Sequence, residues 1–579
     1  MAYVDAANMQ VYKADLLLAL AGRAMKQKRT TDAEALLARA ATSAKRAGMP
    51  RPYADAELRM TELYMKRGEL PQAEKAIKEC IVASRKLADM YFLPQHLALA
   101  GEIETRLDQT RQAETDYDEA EGEIEGMLLN VPSAAVKASL IATMDSVFRG
   151  HFELAMKEHQ IPTAFRILEN VRGRIVADNL RARPQVPISA DHNPTIKSLN
   201  RIQGRLLRTT NVAARARLVG KLEHIEEEND LTSLSRNRAR FSIHGRPVDI
   251  ASLQHWLHSD EAVIEYVMDE PASQCLVITS TSVARYALPS RAQVEKEIGE
   301  YLKTTRAMRN DKSAAALYRD LFSPIRELAT KKQLIIVPDG KLGYIPFEAL
   351  VDENGRYAIE THSISYVPSA TVLYLLRSLK RPRAPMPLLA VGNSNERSPK
   401  GNSYGRAARG LFDINTPVQF HAIPAVDTEI HEIAAIAGAG AEVLTGRAAS
   451  EAAFKEHRLK DYRVIHIAAH GFADLKFPER SGIFLGFDRA RREDGLLQVR
   501  EIRNLRLNAD LVTLSACDTG AGKLEGQNGV ASIVQAFLFA GARSVVASLW
   551  TADDVFTAEL MARFYQNLAD GQSVGEALR

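Results

Sequence analysis

The sequence predicts two fold classes in succession. Residues 1–183 read as an all-α helical-repeat solenoid, and residues 245–579 as an α/β domain whose mostly parallel sheet is covered by helices on both faces. Three observations carry this reading. The triplet Asp32-Ala33-Glu34 returns as Gln72-Ala73-Glu74 and Gln112-Ala113-Glu114, at a spacing of 40. Past residue 245, short apolar runs alternate with helical stretches, the pattern of strands joined by crossover helices. Between the two lies a basic, charged helical linker, residues 184–244, where prolines interrupt the helices.

The repeat extends beyond its triplet. Four residues after each alanine stands a larger side chain (Leu37, Ile77, Tyr117), and seven after it a small one (Ala40, Cys80, Ala120). A looser fourth copy has Ala164, Leu168 and Val171 at the same offsets. Those offsets fall on one helix face. The small residues let a second helix approach closely and the larger ones fill the groove. That is solenoid packing, and the pattern resembles tetratricopeptide repeats with lengthened helices. An ordinary helical bundle would not need one register over three copies. Cys80, in a small-residue slot, is expected in the core, and the concave side of such an array is expected to hold a peptide or partner protein. The apolar run Asp15–Gly22 looks like part of a signal peptide, but Asp5 and Asp15 and its amphipathic continuation favour a helix of the array.

Composition excludes several classes. The chain has 46% apolar and 25% charged residues, ordinary values for a globular protein. With 75 Lys and Arg against 72 Asp and Glu, the net charge of +3 implies no global affinity for nucleic acid or membranes. No run approaches the ~18 apolar residues of a membrane span. Three cysteines (Cys80, Cys275, Cys517) without a Cys-x-x-Cys pair exclude a disulfide framework or a cysteine-rich zinc site. A reducing, cytoplasmic setting is the expectation.

From Arg172 to Lys221 there are eleven Lys or Arg against Asp178 and Asp191, and the acidic run Glu223–Asp230 follows. Such a segment offers a basic surface for RNA, a ribonucleoprotein or an acidic partner. It equally suits a helical hairpin whose basic face is solvated or paired with that run. The lack of aromatic residues for base stacking favours the hairpin and argues against direct nucleic-acid binding.

In the α/β half, strands are predicted at Ala262–Tyr266, Gln274–Thr279, Leu334–Val337, Pro387–Val391, Val464–Ala468, Ser481–Leu485, Leu511–Ser515 and Ser544–Ser548. Helices are predicted at Ser369–Leu379, Thr428–Ala437, Gly529–Phe539 and Ala558–Leu568. Cys275 lies inside a strand and is expected in the core. The Pro-, Gly-, Ser- and Arg-rich stretch between Arg381 and Gly410 reads as a surface loop, open to cleavage or activation.

Two of these strands end in reactive side chains, 47 residues apart. One runs into His470-Gly471 and the other into Cys517-Asp518. In open parallel sheets chemistry gathers beyond the carboxyl ends of the strands. A cysteine and a histidine there point to nucleophilic catalysis: a thiol with a pKa near ~8.5 is only a few per cent thiolate at neutral pH, and an adjacent imidazole removes its proton. The backbone N–H groups of Gly471 and Cys517 are the natural oxyanion donors. His466, four residues before His470, would lie roughly 13 Å from it at ~3.3 Å per residue, too far to share a metal. It is expected as a hydrogen-bonded interior histidine. Gly520–Lys523 fails as a phosphate-binding loop, because the glycine required five positions before Gly522 is Cys517, and the Ser or Thr required after the lysine is Leu524.

Several segments together resemble the CHAT peptidases, caspase-like domains that occur with tetratricopeptide repeats, in the larger group of caspases, metacaspases, gingipains and separases. They are Ile335–Leu350 (with Pro338-Asp-Gly-Lys-Leu-Gly-Tyr-Ile-Pro346), Tyr366–Leu373, Ile465–Gly471, Leu514–Gly520 and Ala540–Trp550. The likeness runs from Leu253 to the end of the chain. It implies a caspase-like α/β fold, His470 as base and Cys517 as nucleophile, with neither position departing from the family pattern. It also implies an acidic pocket for a basic substrate residue, for which Asp474, Asp518 and Asp554 are the candidates, with Asp553 as a candidate that would equally cap a helix. The chain ends within what resembles the family's final helix, leaving open whether the natural protein continues. The resulting expectation is a cysteine endopeptidase without metal or organic cofactor, switched by a protein partner on its repeats, in bacterial defence or regulated proteolysis. A non-catalytic scaffold built from the same parts is the alternative.

Overall fold

The computed structural model describes residues 10–131, 134–182, 194–209, 211–236, 245–306, 312–394, 423–472, 474, 478–486, 493–515, 523–524, 530–531, 533–549 and 553–579. Cys517, Asp518 and residues 395–410 of the Pro- and Gly-rich stretch lie outside them. The chain divides into two compact units, Met1–Val171 and Arg172–Arg579.

The first unit is helical throughout its described residues. Its helices are α1 (Gln10–Lys26), α2 (Thr30–Arg46), α3 (Pro50–Arg67), α4 (Leu70–Lys86), α5 (Leu93–Arg106), α6 (Thr110–Asn130), α7 (Ala134–Thr143), α8 (Asp145–Lys157) and α9 (Ile161–Val171). All twelve positions of the sequence repeat, carried by α2, α4, α6 and α9, are at most 1% exposed. The turns obey a shorter period. Lys28, Gly48, Gly68, Ala88 and Asp108 all take positive φ, between 49° and 77°, at intervals of 20 residues. The 40-residue period is therefore two helix–turn steps. Cys80 is buried, with Sγ 3.6 Å from His96 Nδ1.

The second unit opens with Arg172, whose buried guanidinium donates to Glu265 at 3.0 Å and lies 3.5 Å from Asp339. Three helices follow, α10 (Arg174–Ala182), α11 (Pro194–Arg208) and α12 (Val212–Arg236). Leu206 of α11 packs on Leu218 and Val219 of α12. Buried Arg215 donates to the carbonyls of Leu206 and Thr209, closing the turn between them. Of the eleven basic residues, Arg172 and Arg215 thus serve the interior, while Lys197, Arg201, Arg205, Arg217 and Lys221 are exposed. Glu226 of the acidic run pairs with Arg480 and Arg500, well outside the basic segment.

Two five-stranded sheets build the α/β core. The first holds β1 (Glu261–Val267), β2 (Ser273–Thr279), β3 (Val283–Leu288), β4 (Gln333–Val337) and β5 (Ser363–Tyr366), in the order β3-β2-β1-β4-β5. Its β3-β2-β1 side is antiparallel and its β1-β4-β5 side parallel. Cys275 is buried in β2. The second sheet is parallel throughout, with the order β15-β12-β8-β6-β7. It contains β6 (Met386–Gly392), β7 (Glu442–Thr445), β8 (Tyr462–Ala468), β12 (Leu511–Ser515) and β15 (Ser544–Ala547). Both faces are covered, as predicted. Leu388 and Ala390 of β6 face the helices Ala425–Ala437 and Asp554–Ala569. Leu389 and Val391 join Ile465, Val512 and the helix Ile533–Ala540 on the other side. A small antiparallel sheet, β9 (His470–Phe472), β10 (Gly482–Phe484) and β11 (Leu496–Gln498), stands beside it. The two-residue strands β13 (Lys523–Leu524) and β14 (Val530–Ala531) form a further pair. Among the described residues no helix is long and apolar enough to cross a membrane.

Candidate active site

The site grows from the carboxyl tips of three adjacent parallel strands. Gly392 of β6, Ala468 of β8 and Ser515 of β12 are register partners at the same level. Asn393 N–H donates to the Ala468 carbonyl at 2.9 Å, and Ala469 N–H to the Ser515 carbonyl at 3.3 Å, so the tips are laced together.

Lower in the sheet, His466 and Thr513 are register partners on β8 and β12. Both are fully buried. His466 Nδ1 lies 3.1 Å from the Tyr565 hydroxyl, and its Nε2 2.9 Å from Glu429 Oε1. The Tyr565 hydroxyl in turn donates to Thr513 Oγ1 at 3.0 Å, and burial raises its pKa. His466 is thus the interior, hydrogen-bonded histidine that the residue pattern predicts. It cross-braces the two strands and takes no part at their tips.

His470 is placed differently from a plain strand end. Ala469 alone separates β8 from β9, and His470 opens β9 opposite Phe484 of β10. It is half-buried, while Gly471 and Phe472 are buried. The small sheet therefore carries the imidazole on a strand that leaves the main sheet. Sequence reading missed Asn393, a buried residue that donates from Nδ2 to the Phe484 carbonyl at 3.2 Å. A polar residue just past the tip of a third central strand was the available signal.

Of the acidic candidates, Asp474 and Asp554 lie on different elements, and Asp518 is outside the described residues. Asp474 follows β9 and is half-buried; its backbone N–H donates to Ser481 Oγ at 2.8 Å. Asp553 caps the helix Asp554–Ala569, accepting from Phe556 N–H at 2.9 Å. Asp554 sits in that helix's first turn, half-buried, and follows the edge strand β15 in the chain.

One cluster outside the strand tips has the make-up of a cation site. Carboxylate oxygens of Glu451, Glu493 and Glu501 lie within 4.8 Å of one another. A side chain already supplies the cation: Lys455 Nζ is 2.6 Å from Glu451, 3.3 Å from Glu493 and 2.8 Å from Glu501. Burial opposes the charge on Lys455, but the neighbouring Glu501, Glu451 and Glu493 raise its pKa and keep it protonated. Burial, then the charge of Glu501, pushes Glu451 and Asp494 toward their protonated forms.

Comparison with known families agrees with this architecture, for the CHAT domain family model matches residues 311–579. Residues 311–579 form a CHAT domain. CHAT domains belong to the clan of caspase-like cysteine peptidases. No curated protein matches the chain. The CHAT match begins after β3, so β1, β2, β3 and the helices α10–α12 belong to the same compact unit without being part of the matched segment.

Proposed function

We propose that the chain is a cysteine endopeptidase in which His470 and Cys517 act as a dyad. One observation carries the reading. Ser515 and Ala468 are parallel register partners, and counting two residues on from each reaches Cys517 and His470. The tips of β8 and β12 lie side by side, about 4.8 Å apart as paired strands do, so the segments leading to the two residues start from neighbouring points, with His470 on the strand β9 that leaves the main sheet. The family supplies the second support, since its clan performs thiol-dependent hydrolysis.

His470 takes the Sγ proton, and the thiolate attacks the scissile carbonyl carbon. The C–N bond breaks as the imidazolium returns the proton to the leaving amine. Water then attacks the thioester, giving its proton to His470 and freeing the acid product and Cys517. Gly471 and Cys517 N–H groups are the proposed oxyanion donors. Asp474, Asp518 and Asp554 are the proposed carboxylates for an Arg or Lys of the substrate. We assign activation to a protein partner held by the repeat array in the cytoplasm, with no metal or organic cofactor in the dyad.

Alkylation tests the dyad with internal controls. Cys80 and Cys275 are both buried, and burial holds the Cys80 thiol up at about 12 and raises that of Cys275. Iodoacetamide should label Cys517 at least about tenfold faster than either, and His470→Ala should remove that advantage. A Cys517 no more reactive than the buried pair, together with identical proteome cleavage by the native and Cys517→Ala chains, would favour the scaffold.

A further inference from the structure

We infer that Glu226 of α12 is a positioning residue for His470, acting through a clamp that the α11–α12 hairpin closes on the small sheet β9-β10-β11. The inference rests on the dyad reading for its catalytic meaning. Its physical basis is independent.

The sheet that carries His470 needs outside support. Each of its strands is three residues long, and a ladder that short is marginal alone. Its covalent link to β8 is the single residue Ala469. The row at its far end is Phe472, Gly482 and Gln498. The strands are pressed together there, since a Cβ on Gly482 would lie 2.6 Å from the Leu497 carbonyl oxygen.

The hairpin grips that end with side chains from both helices. Arg480, only 1% exposed, stands two residues before Gly482, and its Nε donates to Glu226 Oε2 at 3.0 Å. Arg500, two residues past Gln498, donates from Nη1 to Glu226 Oε1 at 2.8 Å. One carboxylate of α12 therefore spans the chain entering β10 and the chain leaving β11. From α11, Gln203 Nε2 donates to Gln498 Oε1 at 2.8 Å, and Gln498 Nε2 to the Arg480 carbonyl at 2.7 Å. Gln203 also accepts from Arg500. Asn200 of α11 donates to Glu493 at 2.8 Å, on the approach to β11. Removing the charge of Glu226 takes away the one carboxylate that Arg480 and Arg500 share, so the chain entering β10 and the chain leaving β11 lose their common tie beside the strand pairing that carries His470.

The test uses the full chain with Glu226→Gln, the conservative Glu226→Asp, and Gln203→Ala as a second, milder loosening from the other helix. Hydrogen exchange is read in peptides covering β9 and β10, with β8 and β12 as reference. Alkylation of Cys517 by iodoacetamide is followed against pH. Glu226→Gln should speed exchange in β9 and β10 by about tenfold while β8 and β12 keep their protection. Its alkylation midpoint should move toward that of His470→Ala, and Glu226→Asp should recover part of both effects. Gln203→Ala should act in the same direction, less strongly. Unchanged exchange in β9 and β10 in both Glu226→Gln and Gln203→Ala overturns the clamp, whatever the thiol does. Equal loosening of β8 and β12 overturns it as well, because the hairpin would then serve the whole unit. Alkylation of the native chain that ignores His470 overturns the dyad instead, and the exchange result still decides the clamp.

Discussion

Tyr117 shows how tightly a single side chain fixes the repeat array. Its ring is 1% exposed and stacks on His151 with centroids 5.4 Å apart and planes at 5°. Glycines flank it on both sides: a Cβ on Gly101 would come within 2.7 Å of the ring, and one on Gly150 within 2.4 Å of its hydroxyl. Alanine at an interior helix position is ordinarily worth about 1 kcal/mol over glycine. Here the clash wins, because a planar ring held from the opposite face cannot withdraw, and overpacking costs ~1–3 kcal/mol. Gly101→Ala should therefore destabilise the first unit by up to about 2 kcal/mol in urea unfolding. Combined with Tyr117→Leu, the alanine should cost nothing or stabilise. A stabilising Gly101→Ala in the native background would show that the ring is not confined.

At the scale of elements, α3 and α4 meet through a pair of carboxylates. Tyr53 on α3 donates to Glu79 on α4 at 2.6 Å, and Glu57 is buried nearby. Burial, then the charge of Glu79, pushes Glu57 up from 4.5 to about 7. Between those values the native chain retains a proton that the unfolded chain has released, so stability falls as pH rises through the window and the loss is complete above it. Glu57→Gln should flatten this slope and raise stability at pH 8 by about 2 kcal/mol. A pH profile identical to the native one would contradict the assignment.

Elements also show what the sequence could and could not reveal. The repeat triplets named the buried face of α2, α4, α6 and α9, because small and large side chains at fixed offsets have no other reason to recur. The 20-residue turn period stayed hidden, since Lys28, Ala88 and Asp108 take the same left-handed backbone as Gly48 and Gly68 without being glycine. Strands buried along their whole length, such as β1 and β2, were visible as apolar runs. The half-exposed edge strands β3 and β7 carry no such run. His470 and Gly471 stood out as residue types, yet β9 is too short for any periodicity to announce that the chain changes sheets there. Glu226 was masked by its acidic neighbours, since nothing local tells which member of a charge run reaches a partner some 250 positions away.

For the whole molecule, the decisive boundary lies ahead of the CHAT match. β4 and β5 lie inside the matched segment, but β4 pairs in parallel with β1, which lies outside it. Leu334 and Ile336 of β4 share one apolar cluster with Ala262, Ile264 and Tyr266 of β1. Cutting before residue 311 would expose that cluster and leave β4 with an unpaired apolar edge, a template for aggregation. It would also remove Glu226, the carboxylate paired with the buried guanidinium of Arg480. Breaking a buried ion pair costs up to ~3–5 kcal/mol, a large share of the 5–15 kcal/mol that a folded domain commands. A fragment of residues 172–579 should therefore be soluble and melt cooperatively, whereas 311–579 should aggregate or show no cooperative transition. Supplying β1–β3 without the hairpin, as residues 245–579, should restore the first sheet but leave β9 and β10 fast to exchange. A cooperative melt from 311–579 alone would mean that the second sheet folds without the first, and that the family segment is itself the folding unit.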